Sequence, residues 1–192
     1  MRRLTIIAAL AAAATLTGCA ATTTQPETQS QSAQSQFLSL HKLQGLSAEQ
    51  IIDKLDAMAI ADRPTDMTAS VRVDELVLKD STGEVSLPLP ADRFYISLAP
   101  FVKQSHECFY HSLTTCRGEM GNQEFQFKVT ATDGSVIFEG TRTSFGNGFI
   151  GTWLPRGSQG TITVTDSNGL SGQVLFGTGA DAATCVTTLQ LT

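Results

Sequence analysis

No stretch of this 192-residue chain is apolar for long enough to cross a bilayer, which takes about 20 residues. The longest apolar run is the 13 residues Leu4–Leu16. There is no phosphate-binding Gly-rich loop, no His-Glu-x-x-His and no Gly-x-Ser-x-Gly, so the common signatures of nucleotide, metalloprotease and serine-hydrolase chemistry are missing. No Cys-x-x-Cys pair sets up a redox-active helix start. Positive charge is scarce: 13 Lys and Arg stand against 18 Asp and Glu, for a net charge of −5. An acidic balance argues against nucleic acid as a partner. Charged residues are 16% and hydrophobic residues 41%, which excludes disorder throughout and a coiled coil. Four cysteines are too few for a disulfide-built miniprotein and too many to ignore in an exported chain.

Export is written into the first 18 residues. Arg2 and Arg3 precede the short apolar run, which ends in Leu16-Thr17-Gly18-Cys19. This resembles a bacterial lipoprotein box, in which Cys19 carries the lipid and becomes the first mature residue. The protein is expected outside the cytoplasm, in the periplasm or on the outer membrane face, lipid-anchored. Residues 19–36 are rich in Thr, Gln and Ser without apolar periodicity and predict a flexible tether.

Residues 37–66 predict a helical segment. Ser47 and Gln50 have capping-box spacing, Leu46 and Ile51 can staple across the cap, and Ile51, Ile52, Leu55, Met58 and Ala59 make one apolar stripe. Pro64 ends the pattern, giving a helix of about 13 residues. A lone amphipathic helix must cover its stripe on the following domain or on a second copy.

From residue 67 to 192 the period becomes 2. Strands are predicted at Val71–Leu78, Val85–Leu89, Phe94–Ala99, Phe125–Ala131, Val136–Gly140, Phe149–Leu154, Thr161–Thr165, Gln173–Phe176 and Cys185–Leu191. Thr82-Gly83, Asp133-Gly134, Asn147-Gly148 and Asn168-Gly169 supply turn pairs, and thirteen of the 16 glycines follow Arg117. The expectation is a mainly β protein, an immunoglobulin-like β-sandwich behind a small helix-bearing segment.

Chemistry concentrates in His106-Glu107-Cys108-Phe109-Tyr110-His111-Ser112-Leu113-Thr114-Thr115-Cys116 and in Cys185. With Cys19 consumed by lipid, three sulfurs remain. One reading is a structural disulfide plus a buried spare thiol; the other is three thiolates on a soft metal, Cu(I) above all. A helix from Cys108 to Cys116 would separate their α-carbons by about 12 Å, so sulfurs that cooperate require a loop between them. Period 2 puts Cys185, Thr187, Leu189 and Leu191 on the core face of the last strand. His106 and His111 rank below the cysteines, as polar loop residues or as groups on the metal's entry path. His41 reads as a solvent-facing or capping residue, Met58 as core and Trp153 as a core anchor.

Four segments carry a resemblance: Ser39–Gly45, Asp62–Arg72, Cys108–Cys116 and Thr184–Thr192. Together they resemble the CueP family of periplasmic copper-binding proteins over about residues 38–192. The resemblance implies an N-terminal segment used in forming a homodimer and a β-rich C-terminal domain. It also implies copper held through Cys108, Cys116 and Cys185, as Cu(I) and, before reduction by the thiols, as Cu(II). The role it implies is copper resistance or delivery to an exported copper enzyme such as a Cu,Zn superoxide dismutase. It points to a binding protein and not to an enzyme.

Overall fold

The computed structural model describes residues 26–192, so the leader and Cys19 lie outside the described residues. Two helices, α1 (Pro26–Leu40) and α2 (Ala48–Asp56), precede eleven strands: β1 (Met67–Val71), β2 (Glu75–Asp80), β3 (Glu84–Pro88), β4 (Arg93–Leu98), β5 (His111–Ser112), β6 (Glu124–Ala131), β7 (Val136–Thr143), β8 (Ile150–Pro155), β9 (Gln159–Asp166), β10 (Ser171–Gly177) and β11 (Cys185–Val186). The protein is mainly β with a helical N-terminal segment, as the sequence implies. No helix among the described residues is long and apolar enough to cross a membrane.

The strands form three sheets, ordered β3-β2-β1-β5, β10-β9-β6-β7 and β11-β4-β8. The second and third face each other as a sandwich. Phe94, Ile96 and Leu98 of β4 and Ile150 and Leu154 of β8 share a core with Phe125, Phe127 and Val129 of β6 and Ile162 and Val164 of β9. The alternate residues of β4 point the other way, so Tyr95 and Ser97 are buried on the opposite face. On that side the first sheet and both helices build a second core, from Phe37, Leu38, Ile51, Ile52 and Leu55 to Ala69, Val71, Leu76, Leu78 and Tyr95. The stripe of α2 is therefore covered by its own chain.

Several elements differ from expectation for physical reasons. The stretch 26–36 is not all tether: α1 runs through it and docks through Phe37 and Leu38. Val71–Leu78 is a hairpin, with Arg72 N–H donating to Glu75 O at 2.9 Å; the apolar alternation runs through the turn because Val73 serves the sandwich core. The capping box at Ser47 forms, but α2 stops at Asp56, short of the expected length. Asn147 Nδ2 donates to Asp56 O at 3.1 Å, occupying the carbonyl that another helical turn would need. The last strand pairs only at Cys185–Val186, in parallel with β4, and then touches down once more at the Phe101–Gln190 bridge.

Candidate metal centre

Three separate lengths of chain carry the sulfurs to one place. β5 joins the edge of the first sheet, with His111 opposite Val71 and Ser112 opposite Ser70. Before it, Phe109 O accepts from the N–H groups of Thr184 (3.0 Å) and Cys185 (3.1 Å), which seats Cys108 against β11. Thr184 clamps the junction further, since its hydroxyl donates to Val71 O (2.6 Å) and accepts from His111 N–H (3.0 Å). After β5 a tight turn returns Cys116: its N–H donates to Ser112 O at 3.1 Å, and Ser112 N–H points at its sulfur at 3.3 Å. The turn is then pinned where Gly118 crosses Gly148. A Cβ on Gly118 would stand 2.6 Å from Gly148 O, and Gly148 has a φ of +84°, so both positions require glycine.

Cys108 and Cys185 are joined as a disulfide. Cys116 is free and buried, its sulfur 3.6 Å from that of Cys108. Two overlapping donor groups result, His106–Cys108–Cys116 and His111–Cys116–Cys185, with the ligand atoms of each within 4.8 Å of one another. His106 is exposed and Cys108 half-buried, whereas His111, Cys116 and Cys185 are enclosed. The site thus has a wet end and a dry end. All five residues singled out in the sequence meet here, and the segment between Cys108 and Cys116 is non-helical, as cooperation of the sulfurs requires.

Electrostatically the dry end is built on a carboxylate that sequence reasoning missed. Asp56, fully buried, accepts from Tyr95 Oη (2.6 Å), Asn147 Nδ2 (2.8 Å), His111 Nε2 (2.9 Å) and Ser97 Oγ (3.2 Å). Burial alone would raise its pKa, but the His111 charge and the bonds from His111, Tyr95 and Asn147 outweigh burial and hold it below the usual carboxylate range. Burial pushes His111 down; the neighbouring Asp56 charge and hydrogen bond reverse this and raise it to about 9. Burial pushes the Cys116 thiol up, yet the hydrogen bond and charge of His111 bring it below its ordinary value. The other His111 nitrogen, Nδ1, is buried with no oxygen or nitrogen partner. Arg63 Nη1 donates to Cys116 O at 2.8 Å, a second buried cation beside the thiol.

The donor chemistry fits a soft ion: sulfur and imidazole, with the oxygens of Asp56 already spent on hydrogen bonds. Other expectations shift. His41 does not face solvent but is buried and bonded to Asp80 Oδ2 at 2.8 Å. Asn147-Gly148 forms the expected tight turn, with Gly148 N–H donating to Phe145 O at 2.9 Å, and it also delivers an amide to Asp56. Trp153 is only partly buried and donates to Asp53 at 3.2 Å. Met58 packs against the helix-side core, as expected.

The family model for the periplasmic copper-binding protein CueP matches residues 50–190. The crystal structure of S.CueP is 42% identical, with a TM-score of 0.78, covering 83% of this chain and 98% of that one. No curated protein matches the chain.

Proposed function

Because this chain belongs to the CueP family of periplasmic copper-binding proteins, we propose that it captures Cu(I) through the thiolates of Cys108, Cys116 and Cys185. The observation that carries the reading is the convergence of three sulfurs and two imidazoles from separate segments into two donor groups that share Cys116. Cu(I) is soft and accepts two or three thiolates, and such coordination needs the Cys108–Cys185 pair in its reduced state. His106, exposed beside Cys108, stands on the path by which an ion enters. The captured ion serves copper resistance or onward delivery to an exported copper enzyme, and lipid on Cys19 would keep the capture at a membrane surface. A dimer formed through the N-terminal segment would use the exposed face of α1 around Leu40, since the α2 stripe is already buried.

A second reading is favoured by the disulfide itself. Cys108 and Cys185 as thiolates hold two electrons, so two Cu(II) ions could be reduced to two Cu(I) as the bond between these sulfurs forms. Single Cys→Ser variants at 108, 116 and 185, titrated with Cu(I) against a competing chelator under anaerobic reducing conditions, test the main proposal. Each should weaken binding by about tenfold or more. Parent affinity in all three would leave a disulfide-stapled β-rich lipoprotein as the better description.

A further inference from the structure

A buried carboxylate in the last turn of a helix is in an unfavourable place. The negative end of the α2 dipole repels it, and burial removes its water. Asp56 sits there fully buried, held by four hydrogen-bond donors from β4, β5 and the loop before β8. The fold makes room for this arrangement: a Cβ on Gly151 would overlap Tyr95 Oη and stand 3.0 Å from Asp56 Oδ2. An apolar residue at position 56 would fit the stripe of Ile52 and Leu55 with none of these demands.

What distinguishes Asp56 is its bond to His111. An ionised carboxylate can only accept, so the proton of this contact is on His111 Nε2. That leaves Nδ1 to face the site, where an incoming metal ion would displace its proton. It is buried without an oxygen or nitrogen partner, and one His111 nitrogen lies within 4.8 Å of the sulfurs of Cys116 and Cys185. The ring is held from one side by Phe149, at 4.5 Å between centroids. A carboxylate behind a metal-facing imidazole fixes its tautomer and its orientation, and losing such a partner weakens metal binding by about 10- to 100-fold.

We propose that Asp56 is a positioning residue of the copper site, supplied by the N-terminal helical segment to fix His111 with Nε2 protonated and Nδ1 turned to the cysteines. This rests on the thiolate reading above. It makes helix α2 part of the binding machinery, although all three cysteines of the site lie in the β-rich domain.

The test is a double-mutant cycle on Cu(I) affinity with Asp56→Asn and His111→Gln, under the chelator competition used for the cysteines. Asp56→Asn keeps the volume and should raise the Kd by about 10- to 100-fold in the parent but change it little in the His111→Gln background. Val164→Ala, in the sandwich core, should lower stability while leaving the Kd unchanged. The nitrogen-15 spectrum of the Cu(I)-loaded parent should show the His111 proton on Nε2. An equal loss from Asp56→Asn in both backgrounds, or no loss in either, overturns the proposal. So does a bare Nε2 in the parent spectrum, which decides the matter even if the variant fails to fold. If the cysteine variants lose copper while Asp56→Asn keeps it, the positioning role falls alone; if they also keep it, the thiolate site falls first.

Discussion

Raising the pH should destabilise this protein by discharging one histidine. His111 has a folded pKa of about 9 against an ordinary 6.5, so between those values the native state holds a proton that the unfolded chain releases. The stabilisation is fully present below about pH 6.5 and lost as pH rises through about 9. Each pKa unit is worth about 1.4 kcal/mol, which sets a ceiling of about 3–4 kcal/mol. Cys116 opposes this: its thiol pKa is depressed, so its contribution is present above its ordinary 9.0 and lost as pH falls through the folded value. The measurement therefore uses Cys116→Ser, which retains the Cys108–Cys185 bond and the Asp56 partner and gives up only the smaller share of the His111 shift that Cys116 supplies. Denaturant unfolding of this variant at about pH 6 and about pH 9.5 should differ by 1–3 kcal/mol, the acidic sample being the more stable. Adding His111→Gln should flatten the profile. A flat profile in Cys116→Ser, or an unchanged slope after His111→Gln, would refute the buried His111–Asp56 pair.

Two further outcomes are expected. Gly151→Ala should destabilise by about 1–3 kcal/mol, because the new methyl overlaps the Tyr95 hydroxyl bonded to Asp56; wild-type denaturation midpoints would show that the space is not filled as described. Oxidation before loading should abolish high-affinity Cu(I) binding by closing Cys108–Cys185, and a reductant should restore it; equal copper stoichiometry before and after reduction, with a free-thiol count proving the bond closed, would separate copper from these sulfurs.

The strands β4 and β6 to β10 were legible because their apolar residues alternate against one sandwich core, and β3 because its own alternation faces the helix-side core. The sulfurs were legible as a group, but spacing left a disulfide with a spare thiol and a shared soft metal both open, and only the resemblance to CueP pointed to copper. Their support was not legible. Asp56 falls on the same helical face as Ile52, where a pattern search registers only an interruption; its partners Tyr95, Ser97 and Asn147 come from β4 and from a loop 91 residues away. Asn147 was hidden by a stronger local signal, as Asn-Gly reads as a hairpin turn. The Val71–Leu78 hairpin was masked because Val73 continues the alternation while serving a different core. Local sequence reports which face a residue prefers, whereas this site depends on which faces meet.

The Cys108–Cys185 bond spans 77 residues and encloses β5 through β10. On chain-entropy grounds a closed loop of that length restrains the unfolded chain by about 4–5 kcal/mol. The oxidised protein is then better protected against unfolding and proteolysis than the reduced, metal-free form. Opening the bond to receive copper surrenders that covalent brace, and an ion held between the same segments takes its place as a reversible crosslink. Resistance to a protease should therefore be lowest in the reduced, metal-free form that stands between the two, making that intermediate the state in which the protein's lifetime is decided.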